Sequence, residues 1–192
     1  MLTGETGSGK NLILRLLGLL EVPDSGEVVF QGESVSRMPK DCLADLRTTA
    51  CGYVFSPPFL LPGFTVMENI AMPLFKVFEM RPIDAQERTE KLMNFMDLAA
   101  FTTKKIDKLS PEFQHRVGLA RALGSLPPLV IVEQPDRILH RGELESFRKL
   151  LHRTAAEFGC AVAISAGAEI PSMHGERRVE CADGRIVCDV MP

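Results

Sequence analysis

With 192 residues the chain has room for one good core and a lobe or two, which excludes an assembly of several domains. Its formal net charge is -3, with acidic and basic residues interspersed, so it lacks the basic face that nucleic acid demands and direct binding of DNA or RNA is set aside. The cysteines (Cys42, Cys51, Cys160, Cys181, Cys188) show no CxxC pairing and no His at metal spacing, which fits reduced, mostly buried thiols in a cytoplasmic protein.

In chain order the first feature is a phosphate-cradling loop, Gly4, Glu5, Thr6, Gly7, Ser8, Gly9 and Lys10, followed by Asn11 where a Ser or Thr is expected. Small residues let successive N–H groups point at a phosphate, Lys10 adds a point charge, and the following helix adds its positive dipole end. The missing hydroxyl is the one that ligates Mg²⁺ at the outer phosphates. The Asn11 carboxamide can still ligate a hard cation, but from one atom further out, and Mg²⁺ tolerates geometric error poorly.

Residues 11–20 are apolar nearly all round and predict a buried helix, too short and too broken by Arg15 to span a bilayer. No signal peptide is expected, because the loop begins almost at Met1. Residues 27–31 predict a short strand, 40–47 a surface helix, and 52–55 a strand stopped by Pro57 and Pro58. From 65 to 100 the texture turns helical and Met-rich, and 111–123 predict another helix. The runs at 129–132 and 160–165 read as strands buried on both faces, with a helix over 142–158 between them. A hairpin around Ala182, Asp183 and Gly184 closes the chain. Strands alternating with helices predict an α/β layer structure interrupted by a helical insert.

The loop GETGSGKN, the segment GYVFSPPFLLPGFTVMENIAMPL, the run LSPEFQHRVGLARAL, the strand PPLVIVEQPD and the closing DGRIV together resemble the ATP-binding subunits of ABC transporters. The resemblance covers nearly the whole chain and is closest to the branch serving lipoprotein release, macrolide export and cell division. It implies an α/β P-loop NTPase (RecA-like) core with a mostly parallel sheet and an inserted helical subdomain. One domain is expected, with its core at 1–56 and 118–192, its helical subdomain at 57–117, and an N-terminal truncation that removes the strand feeding the phosphate loop and the aromatic that stacks on adenine. It also implies ATP and Mg²⁺ as ligands, a homodimer or heterodimer whose sites form between subunits, and a membrane permease as partner. The permease is expected at Phe59, Leu60 and Leu61, which places the chain in the cytoplasm at the inner membrane.

Family positions around the γ-phosphate are altered. The metal- and water-sensing Gln is Ser56, too short to reach. The signature motif, whose Ser hydroxyl and Gly amides hold the opposite subunit's ATP, is Leu109, Ser110, Pro111, Glu112 and Phe113. Pro111 has no N–H, and Glu112 brings a negative charge toward a polyanion. The Asp that holds the metal is Glu133, a weak ligand on a longer arm. The Glu that polarises the attacking water is Gln134, which accepts no proton at any useful pH. The Asp that crosses the dimer is His140, and the switch His is Ala166. Since both composite sites combine these losses, an intact partner repairs neither. The expectation is a subunit that binds ATP weakly, docks a permease and hydrolyses little or nothing. The alternatives are a slow ATPase using Glu133 or a partner side chain as base, and a non-transport scaffold or decaying paralogue.

Overall fold

Short β-branched runs separated by helices leave each strand's neighbours to be found across crossovers, which gives parallel pairing. The computed structural model describes residues 1–191 and places six strands in one sheet. They are β1 (Leu2–Thr3), β4 (Cys51–Val54), β5 (Leu129–Glu133), β6 (Ala161–Ala166), β7 (Arg178–Ala182) and β8 (Arg185–Val190), in the order β4-β5-β6-β1-β7-β8. All neighbours are parallel except β7 and β8, the predicted closing hairpin. A separate ribbon pairs β2 (Val29–Phe30) with β3 (Glu33–Ser34). Only the first of those two strands was expected.

The strand thought to be missing ahead of the phosphate loop is present in abbreviated form. Leu2 and Thr3 pair with Ser165 and Ala166 on one side and with Val179 and Glu180 on the other. Two residues carry no periodicity, so the sequence pattern could not reveal them.

Helix α1 (Lys10–Leu17) follows the loop, and α2 (Lys40–Ala50) precedes β4. Between β4 and β5 lie α3 (Val66–Lys76), α4 (Pro82–Phe95) and α5 (Pro111–Ala122). Helix α3 starts on a capping box, with the Thr65 hydroxyl accepting from the Glu68 amide and the Glu68 carboxylate accepting from the Thr65 amide. Helix α6 (Arg141–Phe158) ends on Gly159, whose φ of 63° suits a residue without a Cβ. The main core runs without a break from Val66, Ile70, Leu92 and Met96 through Val117 and Leu119 to Val54, Val130, Val132 and Phe147.

Helix α1 departs from expectation. Of its apolar side chains only Leu14 is buried, packed with Leu2, Ile131 and Cys181, while Leu12 and Leu17 stand exposed. The sheet covers one face of the helix through β1, β5 and β6. No described helix is long and apolar enough to cross a membrane.

Candidate functional site

The phosphate loop is shaped by glycines in conformations that other residues avoid. Gly4, Gly7 and Gly9 have φ of 151°, 89° and 88°. At Gly4 a Cβ would stand 2.3 Å from the Cys181 carbonyl oxygen, so the loop can press against β7 only there. The Ser8 amide donates to the Glu5 carbonyl at 3.1 Å, and the Ser8 carbonyl accepts from Gly184 at 3.1 Å in the turn of the closing hairpin. Among the described residues, the amides of Gly7, Gly9, Lys10 and Asn11 have no acceptor.

Lys10 opens α1 and is 4% exposed. Its ammonium carries three donors, and its only acceptor among the described residues is the Glu5 carbonyl, at 3.1 Å. The Ser8 hydroxyl is likewise buried without a partner. Free amides, unspent ammonium donors and a helix dipole converge on a cleft of about 280 Å³, formed by Thr6 through Leu12 with Gln134 and Arg137 facing them. Such a set of donors fits a phosphate chain.

Gln134 follows β5 in a left-handed conformation (φ 45°, ψ 55°), held by its amide donating to the Ser165 carbonyl at 3.1 Å and hydroxyl at 3.2 Å. That turn aims its carboxamide at α1, where Asn11 Nδ2 donates to Gln134 Oε1 at 2.8 Å. Asn11 Oδ1 is left buried without a partner. Glu133 is drawn away into an ion pair with Arg15 at 3.5 Å. Asp136 accepts from the Gly167 amide at 2.9 Å. The residues present therefore fit Mg²⁺ poorly: the free oxygens at the cleft, Asn11 Oδ1 and the Ser8 hydroxyl, are neutral, and no carboxylate lines it.

The remaining altered positions divide between the cleft and more distant places. Ala166 ends β6, fully buried beside Thr3. Ser56 hydrogen-bonds His115 on α5, Oγ to Nε2 at 3.1 Å, and His115 Nδ1 lies 2.8 Å from the Pro111 carbonyl. A carbonyl only accepts, so the neutral imidazole carries its proton on Nδ1 and accepts a hydrogen bond from the Ser56 hydroxyl at Nε2. Burial holds this imidazole below its ordinary value, against the opposing pull of the Pro111 carbonyl and Glu143. His140 is the N-terminal cap of α6, its amide donating to Glu143 at 3.0 Å.

At the start of α5, Leu109 is buried, Ser110 and Pro111 are exposed, and Phe113 packs on Phe101 with ring centres 4.6 Å apart. Glu112 was expected to project its charge outward. Its carboxylate instead accepts from Arg116 at 2.8 Å and from the Ser146 hydroxyl of α6 at 3.0 Å, because the i+4 guanidinium lies on its own helix face. Phe59, by contrast, is 67% exposed beside the half-buried Leu60 and Leu61. Arg121 donates to the carbonyls of Pro58 and Phe59 at 2.7 and 3.0 Å, and the buried Asn69 clamps both the amide and the carbonyl of Leu61. Sequence reasoning missed Arg15 and Arg137. Neither belongs to a motif, and only the fold brings them to the loop.

A phosphate loop entering α1 from a central strand, with Gln134 facing it from the turn after β5, is the arrangement of nucleotide-binding cassettes. The family model described as ABC transporter matches residues 1–137. The chain belongs to the ABC transporter family. It is 35% identical over 188 residues to the lipoprotein-releasing system ATP-binding protein LolD of Geobacter metallireducens, covering 98% of this chain and 83% of that protein. Its structure superposes with a TM-score of 0.84 on the dimeric ATP-binding cassette MJ0796 bound to ADP and Pi, at 29% identity and covering 99% of this chain and 83% of that one. A further match at TM-score 0.87 and 19% identity, to cbiO1 of Clostridium perfringens over 98% of this chain and 76% of that chain, bears on the fold alone. The architecture is thus the P-loop NTPase fold of ABC cassettes, and this family binds ATP with Mg²⁺.

Proposed function

We propose that this chain is an ABC-type nucleotide-binding subunit that holds ATP weakly through its phosphate loop, docks a membrane permease, and hydrolyses little or nothing. The observation that carries the reading is the Asn11–Gln134 hydrogen bond. The position needed to polarise the attacking water bears a carboxamide whose oxygen is already engaged. The slow-ATPase alternative needs Glu133 or a partner side chain as base, and Arg15 pairs with the Glu133 carboxylate.

Gly4 to Lys10 hold the phosphates in this reading, Asn11 and Glu133 are what remain of the metal shell, and Ser110 to Phe113 face a second subunit. The segment 57–117 acts as the helical subdomain against the core at 1–56 and 118–192. The exposed Phe59 beside Leu60 and Leu61, on a loop pinned by Arg121 and Asn69, offers a preshaped apolar contact for a permease helix. Such a subunit works in the cytoplasm at the inner membrane, paired with a copy of itself or with another ATP-binding subunit.

Calorimetric titration with ATP tests the first half of this reading. The expected affinity lies between roughly micromolar and millimolar, or about -4 to -8 kcal/mol. Lys10→Ala should abolish measurable binding. Affinity unaffected by Lys10→Ala removes the phosphate loop from the account.

A further inference from the structure

The charges around the cleft point to more than a weakened site. Each position that would bring a negative charge or a metal ligand has been neutralised or diverted. Gln134 is uncharged, Asn11 presents its amide nitrogen to Gln134, and Glu133 is paired with Arg15. Asp136 turns to the Gly167 amide, and neither it nor the exposed Glu5 of the loop lines the cleft.

A second cation also stands at the cleft. Arg137 lies on the wall facing the phosphate loop, is exposed, and forms no ion pair or side-chain hydrogen bond among the described residues. With Lys10 it gives the cleft two cations and no anion. Its guanidinium presents several donors in a fixed fork that matches two phosphate oxygens, and it keeps its charge at all physiological pH. The Ser8 hydroxyl, 5% exposed and without a partner, is a further donor buried at the loop. An ordinary cassette cancels phosphate charge with a divalent ion held by a hydroxyl and carboxylates. Here the protein itself supplies the compensating charge.

We propose that this cleft binds the phosphate chain of a nucleoside triphosphate without a divalent cation, with Arg137 taking over the charge compensation that Mg²⁺ provides in other cassettes. The inference rests on the nucleotide-binding reading above and deepens it. Mg²⁺ would then bring no advantage. Adding it converts free ATP into a complex whose outer oxygens are already engaged, and the site has no carboxylate to receive the ion.

Calorimetry of the full chain with ATP, in excess EDTA and again in excess MgCl₂, tests this. The expected dissociation constants agree within about three-fold. Arg137→Ser should weaken binding in EDTA by about ten-fold or more, and Arg137→Lys should recover part of the loss. The side chain is exposed, so both variants should fold, which circular dichroism verifies. The double variant Asn11→Ser with Gln134→Glu restores a hydroxyl and a carboxylate and should make binding respond to Mg²⁺. ATP bound more than about three-fold tighter with Mg²⁺ than with EDTA overturns the inference and leaves the nucleotide reading standing. Metal-insensitive binding that Arg137→Ser does not change overturns the role of Arg137. No binding in either buffer overturns the inference together with the reading beneath it.

Discussion

Asn11 and Gln134, 123 positions apart, hydrogen-bond through their carboxamides at 2.8 Å. The contact spans from the first turn of α1 to the turn after β5, closing the cleft floor with two neutral groups. In that arrangement Gln134 Oε1 is occupied, and neither side chain can remove a proton from water.

Restoring turnover should therefore need more than restoring the base. A general base and the donors that complete an outer shell are each worth roughly 10² to 10³ in rate, and such effects combine non-additively. Gln134→Glu with Ala166→His is expected to leave phosphate release far below family levels. Pro111 would still lack its N–H, and Glu112 would still carry a side chain where the family has a glycine beside the opposite nucleotide. Adding Pro111→Gly and Glu112→Gly should be the step that raises it. Steady release by the unmodified protein at about 1 per second would establish the slow-ATPase alternative.

Gly4→Ala should be among the most damaging single changes. The new methyl meets the Cys181 carbonyl at 2.3 Å and the Ser8 hydroxyl at 2.6 Å, and the backbone cannot yield without separating the loop from β7. A loss of about 1–3 kcal/mol in urea unfolding is expected, together with loss of ATP binding. Normal stability with normal binding would contradict the loop geometry.

Asn69→Ala tests the loop that carries Phe59. Asn69 is fully buried, accepts from the Leu61 amide at 2.7 Å, and donates to the carbonyls of Leu61 and Thr65 at 3.1 and 3.0 Å. Removing it orphans the Leu61 amide, since the Leu61 and Thr65 carbonyls keep the amides of Phe64 and residue 69, at a cost of about 1–3 kcal/mol. Hydrogen exchange should rise at residues 60–66 before it rises in the sheet. Uniform exchange across the chain would show that the clamp is unimportant.

His115 predicts acid sensitivity. Its folded pKa lies below the ordinary 6.5 because burial disfavours the imidazolium. As pH falls below 6.5, the unfolded chain takes up the proton first, so stability declines until the folded value is passed. Urea midpoints should drop between about pH 7.5 and about pH 5.5, and His115→Gln should drop less over the same interval. Equal slopes for the two proteins would assign the effect to other groups. Glu176 is not among them: burial raises its carboxyl, but hydrogen bonds from Arg148 and the Met173 amide outweigh that and hold it below its ordinary value, so its share of the stability is lost only at more acidic pH.

What the sequence disclosed depended on how local the determinant was. The phosphate loop was legible because its glycines are needed within a few residues of one another, and the buried strands because β-branched runs need no distant partner to be recognised. The pairing of Glu112 with Ser146 and of Arg15 with Glu133 was not legible, since each joins residues from separate helices or strands. The exposure of Leu12 and Leu17 escaped notice for a related reason: periodicity measures how apolar a face is and says nothing of what lies against it. Arg137 falls outside the motif positions, and its place at the cleft comes only from the turn that Gln134 makes.

The closing hairpin meets the phosphate loop at Gly4, which presses on the Cys181 carbonyl, and at its turn, where Gly184 donates to the Ser8 carbonyl and a Cβ on Gly9 would come within 3.2 Å of the Gly184 Cα. The chain's second residue block and its last strands are thus fastened together over the site. Among the described residues the β7–β8 ribbon otherwise joins the rest of the sheet through Met1 and the two residues of β1. Peeling that ribbon away would unfasten Ser8 in the same motion, so emptying the cleft and fraying the C-terminal edge are one opening event with one free energy. Whatever fills the cleft stitches the end of the chain to its beginning.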